Sequence, residues 1–181
     1  MTGGSRGVGL ATARAAASRG DRVAVMARHL DESELAATLG PQSLAVAADV
    51  SDPASVESAV RSVADAWGGF DVLVNYAGLH RGGKIHRLGL ADWDAVIATN
   101  LSGPLHVIRS ALPHMGEGAS IVNVGAVVGF RGFPGDSPYA ASKAGLAGLT
   151  RVLAVELAAR QIRVNLVVPG LVITEMTAAL D

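Results

Sequence analysis

The sequence contains no cysteine, which removes disulfide frameworks, thiolate nucleophiles and cysteine-bound zinc together. Lysine is nearly as scarce, with only Lys84 and Lys143 beside thirteen arginines. No sign of charge predominates: the formal net charge is −1, so no basic field exists to hold nucleic acid or an acidic lipid surface. No apolar run approaches the ~18 residues of a membrane span, and no charged-then-apolar leader is legible. Five histidines (His29, His80, His86, His106 and His114) lack metal-ligand spacing, so no metal is expected. Charged residues make up only 17% against 50% apolar ones, the reverse of a disordered chain. A soluble protein of a reducing compartment, the cytoplasm, is the expectation.

What is present is a core-forming chain of 181 residues, enough for one domain, with 22 glycines. Short apolar runs at 22–27, 43–48, 70–75, 120–125 and 163–168 read as strands. Their near-continuous apolarity suits strands covered by helices on both faces, hence an α/β parallel sheet. Helices are expected between them: 7–19, from Asp31 to Gly40, from Asp52-Pro53 onward, 91–112 with a kink at Gly103-Pro104, and 137–159. Asp31 with Glu34 three residues later forms a capping pattern. Val56, Val60, Val63 and Trp67 make one helical stripe.

The stretch from Thr2 to Gly9 (TGGSRGVG) sets glycines just ahead of a helix. Glycines let backbone approach a pyrophosphate, and the helix start offers free N–H groups with positive dipole. A plain glycine-rich turn is the alternative for this motif alone. Its spacing differs from G-x-G-x-x-G. It resembles instead the T-G-x-x-x-G-x-G motif of the short-chain dehydrogenase/reductase (SDR) family, and further motifs follow in that family's order. Asp49-Val50 falls where the family places an acidic residue near the adenine, and Asn75-Tyr76-Ala77-Gly78 is similar to its N-N-A-G. Asn100 falls at its tetrad asparagine, and Tyr139-Ala140-Ala141-Ser142-Lys143 at its Y-x-x-x-K. Pro169-Gly170 with Thr174 is similar to the P-G…T segment that closes over the nicotinamide. The resemblance runs from residue 2 to about 177. Its phrases VNVGAVVG, YAASKAGLAGLTR and RVNLVVPGLVITEMT look most like the 3-oxoacyl-[acyl-carrier-protein] reductases.

The resemblance implies a Rossmann-like, doubly wound, three-layer αβα fold. It also implies catalysis by Tyr139, Lys143 and Asn100. Tyr139 and Lys143, four apart on a helix, share a face, and a neighbouring ammonium favours a phenolate. In the family's mechanism Tyr139 gives a proton to a carbonyl oxygen as hydride reaches the carbon, Lys143 bonds the nicotinamide ribose, and Asn100 serves a water-borne proton relay. Gly3, Ser5, Arg6, Gly7, Gly9, Arg28, Asp49, Val50, Asn75, Ala77, Gly78, Tyr139, Lys143, Pro169, Gly170 and Thr174 are the implied cofactor contacts. The second strand of that family order ends at Ala27-Arg28 with no carboxylate before Asp31, and Arg6 lies in the glycine loop. Two guanidiniums there point to NADP(H). The substrate is expected to be a small-molecule or acyl-thioester carbonyl.

Two departures stand out. Ala126 replaces the serine that binds the substrate oxygen, and Tyr76 replaces the second asparagine of N-N-A-G. Losing one such donor costs about 10²–10³ in rate. An impaired paralogue that binds nucleotide or a partner subunit is therefore the alternative to a reductase. Ser137 is the candidate substitute hydroxyl, while Ser142 is placed on the cofactor. The small residues Ala140, Ala141, Ala144, Gly145 and Gly148 suit either packing on the sheet or a homo-oligomer face, a dimer or tetramer. Finally, the strand feeding the glycine loop is central in the order 3-2-1-4-5-6, yet only Met1 precedes Thr2. The expectation is a domain lacking its first strand and its C-terminal strand. Such a chain, with a central gap, should be unstable or poorly soluble unless another segment fills it.

Overall fold

The computed structural model describes residues 1–172 and 174. Five parallel strands carry the fold: β1 (Ala24–Ala27), β2 (Leu44–Ala47), β3 (Val72–Asn75), β4 (Ser120–Val124) and β5 (Arg163–Val167). They form two ladders, β1-β2 and β3-β4-β5, and Thr2 bridges both, pairing parallel with Met26 and with Asn75. The spatial order is thus β2-β1-Thr2-β3-β4-β5, the doubly wound pattern with one residue standing in the central place. Each strand is shorter than its apolar run. No strand follows β5 among the described residues.

Residues 1–3 occupy the place between β1 and β3. Thr2 N donates to Val74 O at 2.9 Å, Gly3 N to Met26 O at 2.8 Å and Met26 N to Met1 O at 2.9 Å. The Met1 amino group donates to Ala24 O and carries the ladder on along β1. Alternate residues of a parallel strand bond opposite neighbours. Because Ser120 N takes Asp71 O and Leu44 N takes Val23 O, the main-chain groups of Val72 and Ala24 turn toward the space between β1 and β3. A cavity of about 430 Å³ lies there, lined by Val23, Val25, Val72, Val74 and Trp67 among others.

Helices α1 (Gly7–Ser18), α2 (Glu32–Leu39), α3 (Pro53–Trp67), α4 (Leu90–Ile97), α5 (Gly103–Ala111) and α6 (Ser137–Glu156) cover the sheet. Val25 and Met26, neighbours on β1, point to opposite faces and enter different apolar clusters. The smaller cluster sets Ala13 of α1 and Leu35 and Leu39 of α2 against Val23 and Val25. The larger joins Val56 and Val60 of α3, Val107 and Ile108 of α5 and Leu153 of α6 to Leu73, Ile121 and Val164. Caps explain two starts. Asp31 accepts from Ser33 N at 2.9 Å and Glu34 N at 3.0 Å, and Asp52 accepts from Ala54 N at 3.0 Å. No side chain caps α1.

The single kinked helix expected over 91–112 is instead α4, a π turn at Ala98–Ser102, and α5. Proline explains the change. Pro104 has no N–H for the carbonyl of residue 100, and its ring crowds that carbonyl, so the helix widens one turn earlier. Likewise α6 stops at Glu156, and a 3₁₀ turn at Ala158–Arg160 completes the expected span.

Candidate active site

The site begins at Thr2. Its buried hydroxyl oxygen accepts from Tyr76 N and Ala77 N, both at 3.1 Å, which ties the glycine loop to the end of β3. Gly3 adopts φ +67°, and a Cβ there would stand 2.7 Å from Ala77 Cα. A Cβ on Gly9 would meet Gly3 O at 2.2 Å, so that glycine lets α1 close onto the loop.

A groove of about 560 Å³ opens at the uncapped start of α1. Among the implied contacts it is lined by Gly3, Ser5, Arg6, Gly7, Arg28, Asp49, Val50, Ala77, Gly78 and Thr174. Gly9, Asn75, Tyr139, Lys143, Pro169 and Gly170 do not line it. Gly9 serves packing, whereas Asn75 is buried and donates Nδ2–H to Asn123 Oδ1 at 2.9 Å. Thr174 sits against the glycine loop, its Cγ2 3.8 Å from where a Cβ of Gly7 would be. Sequence reasoning missed Met26, Ala27, His29, Leu79, Thr99 and Val172 in the groove wall. Strand ends and loops meeting there carry no composition signal, so only the fold reveals them.

Asp49 lies beside the arginines but is not a free carboxylate. It accepts from Ser51 Oγ at 2.7 Å and Ser51 N at 2.9 Å. The Ser51 hydroxyl contributes most to holding its pKa low, and the Ser51 N–H and Arg28 add to it. The glycine loop, the start of α1, Arg6 and Arg28 give the groove the chemistry of a phosphate-bearing nicotinamide cofactor.

Beyond Gly78 the chemistry changes to buried side chains. Lys143 Nζ is 4.0 Å from the Cβ position of Gly78, and Asn100 Oδ1 is 3.7 Å from it. Lys143, on the second turn of α6, donates to Val124 O at 2.7 Å. Burial pulls its pKa from 10.5 to about 8. Asn100 is fully buried on the π turn; its Oδ1 accepts from Leu79 N at 2.7 Å and its Nδ2 donates to Leu79 O at 2.9 Å and Ser142 Oγ at 3.2 Å. Ser142 donates in turn to Tyr139 O at 2.7 Å. Ser142 thus braces Asn100 inside the core and does not face the groove, a correction to its expected place. Asn123 Nδ2 donates to Thr150 Oγ1 at 2.9 Å, which extends the polar seam along α6.

Tyr139 differs from expectation in one respect. Its phenol is pushed up from 10 rather than down: burial contributes most, then Tyr76 and Asp136. Lys143 Nζ stands 5.6 Å from the Tyr139 ring centroid, with a carbonyl as its hydrogen-bond partner. His80 packs edge-on against Tyr139 at 5.0 Å between centroids and pairs with Asp136 Oδ1 at 3.0 Å. Ala126 precedes the 127–129 turn and brings no donor.

Comparison with known proteins agrees with this arrangement. The family described as short chain dehydrogenase matches residues 1–181. A 3-oxoacyl-[acyl-carrier-protein] reductase of Bos taurus is 43% identical over 99% of this chain and 77% of its own length. Carbonyl reductase family member 4 of Danio rerio is 41% identical over 98% of this chain and 76% of its own. A short chain dehydrogenase from Burkholderia cenocepacia in complex with NADP superposes with a TM-score of 0.89 at 41% identity, covering 97% of this chain and 74% of that one. Glycine loop, Tyr139–Lys143 pair, sheet order and relatives converge: the chain belongs to the short-chain dehydrogenase/reductase family of oxidoreductases, similar to its 3-oxoacyl-[acyl-carrier-protein] reductases, with a groove for a nicotinamide cofactor.

Proposed function

We propose that this chain, residues 1–181 as one reductase domain, uses NADPH to reduce a 3-oxoacyl-type or related ketone to an alcohol. One juxtaposition carries the reading. Lys143, 5.6 Å from the Tyr139 ring, comes within 4.0 Å of the Cβ position of Gly78, a residue lining the groove that Arg6 and Arg28 also line. When bound, the dinucleotide supplies the hydride. Arg6 and Arg28 hold its additional phosphate, and the loop from Gly3 to Gly7 with the start of α1 holds its pyrophosphate. By the family resemblance, Thr174 and Pro169-Gly170 would close over its nicotinamide.

Tyr139 then donates its phenolic proton to the carbonyl oxygen, a contribution of about 10²–10⁴ for a positioned acid. Lys143, whose proton affinity is already reduced by burial, bonds the ribose and returns a proton to the phenolate. Asn100 serves the resupply of Lys143, since Pro104 denies its main-chain carbonyl the usual helical N–H. Substrate is taken as a small-molecule or acyl-thioester carbonyl, and the names of the relatives support that class. Exposed Leu105 on α5 with Val152 and Val155 on α6 supports a homo-oligomer, dimer or tetramer.

Ala126 favours a second reading, a nucleotide-binding chain with little turnover. NADPH oxidation with an acetoacetyl thioester, by wild type, Ala126→Ser and Tyr139→Phe, separates the two. Wild-type turnover abolished by Tyr139→Phe supports the reductase. Turnover by Ala126→Ser alone supports the second reading.

A further inference from the structure

Outside the Tyr139–Lys143–Asn100 seam, one polar pair lies against the reacting phenol. His80 follows the turn after β3, and Asp136 precedes α6; both side chains are about one-fifth exposed. A carboxylate can only accept, so His80 donates Nε2–H to Asp136 Oδ1 across 3.0 Å. The edge of one ring meets the face of the other: the rings of His80 and Tyr139 sit 5.0 Å apart at 77°.

The loop that carries His80 is fixed at several points. Both main-chain groups of Leu79 bond the Asn100 amide. Gly83 N donates to Gly135 O at 2.8 Å, and Gly82 lies so close to Gly135 that a Cβ would stand 2.2 Å from its carbonyl. Arg81 pairs with Asp92 at 3.0 Å on the outer side. Two loops from separate parts of the chain are thus zipped together, with the His80–Asp136 pair beside Tyr139.

We propose that His80, anchored by Asp136, is a positioning residue that fixes the Tyr139 phenol for proton transfer. The proposal rests on the reductase reading above. With Ala126 offering no second donor, phenol placement carries more of the rate, and a misplacement of ~1 Å costs about 10²-fold. Asp136 alone would be unfavourable, because its charge opposes the phenolate. Among the described residues, the groups facing Tyr139 are His80, Asp136, Tyr76 and Lys143. Of these four, His80 supplies both a contact with the ring and a partner for that carboxylate.

Four chains test it: wild type, His80→Ala, Asp136→Ala and Asp136→Asn. The amide of Asp136→Asn still accepts the imidazole N–H but carries no charge. His80→Ala and Asp136→Ala should each lower kcat by about 10-fold with KM for NADPH unchanged, and Asp136→Asn should recover most of the loss. If Asp136→Asn is as impaired as Asp136→Ala, or His80→Ala turns over like wild type, the positioning role is overturned.

A second readout needs no turnover. Tyr76 and Tyr139 are the only tyrosines. In a Tyr76→Phe background, tyrosinate absorbance therefore reports Tyr139 alone. With Asp136→Asn added, so that no carboxylate opposes the phenolate, loss of the His80 ring admits water to the phenol, and His80→Ala should shift its ionisation down by about half a pH unit. An unmoved titration overturns the proposal. A moved titration in a wild type without turnover leaves positioning standing and sinks the reductase reading instead. Thermal melts of each chain identify any variant that fails to fold.

Discussion

The two sides of the sheet are built on different terms. The β3-β4-β5 side carries buried polar side chains: Asn75, Asn123, Thr150, Asn100, Ser142 and Lys143 are all under about a tenth exposed, most of them bonded to each other. The β1-β2 side offers main chain and surface arginines instead: a helix start, a glycine loop, Arg6 and Arg28. Among the described residues, Thr2 is the one bridged to both ladders. A phosphate needs only backbone N–H groups and a cation, which a thinly packed region can supply. Proton transfer needs a side chain held in one place, and that takes a packed core.

Four perturbations would break or sharpen this contrast. Tyr139→Phe removes the acid from the packed side and should cut turnover by about 10²–10⁴ while NADPH binding, owned by the other side, stays nearly constant. Fluorescence titration of NADPH beside steady-state kinetics would check it, and a parallel loss of binding would merge the two sides.

Lys143→Met comes next. The unfolded Lys143 keeps its proton to about 10.5 and the folded one releases it near 8, so the unfolded state binds more protons between those values. Stability therefore rises with pH across that window, and below about 8 burial of the charge costs roughly 3 kcal/mol. The methionine variant should resist urea better at neutral pH, lose activity, and lose the stability gain from about pH 7 to about pH 9. A less stable variant with an unchanged pH slope would contradict the account.

Thr2→Val keeps the shape of the bridging residue but leaves the Tyr76 and Ala77 N–H groups without an acceptor. The expected cost is about 1–3 kcal/mol. Hydrogen exchange should quicken in β1 and β2 more than in β4 and β5; uniform change would mean that the two ladders do not behave as separate units. Smallest is Arg28→Ala, expected to raise KM for NADPH about 10-fold with little effect on NADH. Equal effects on both would remove Arg28 from phosphate recognition.

Local features were legible where one residue type forces one local geometry. The Asp31 and Asp52 caps, the stripe of Val56, Val60 and Val63, and the order of five strands all read directly from the chain. Pro104 was legible as a disturbance at Gly103-Pro104, but its outcome, a π turn ending before Gly103 that contains Asn100, was not. That outcome depends on where Asn100 can find Leu79 and Ser142. Ser142 was read as a cofactor contact because its neighbour is Lys143, yet it faces the core. Adjacent helical residues point about 100° apart, so neighbours in sequence need not share a site. Residues 173 and 175–181, which include the end of the RVNLVVPGLVITEMT phrase, lie outside the described residues.

By itself, then, the sequence determined the alternating α/β pattern, the glycine loop before a helix, the Tyr139–Lys143 spacing and the two guanidiniums. Each depends on separations of a few residues, over which chain geometry is nearly fixed. Only the tertiary structure decided that Thr2 joins two ladders, that burial raises the Tyr139 pKa, and that His80 and Asp136 meet beside that ring. These contacts join Thr2 to Met26 and Asn75 and His80 to Asp136, residues 24 or more positions apart. Their distances and their loss of water are set by packing, which no local spacing encodes.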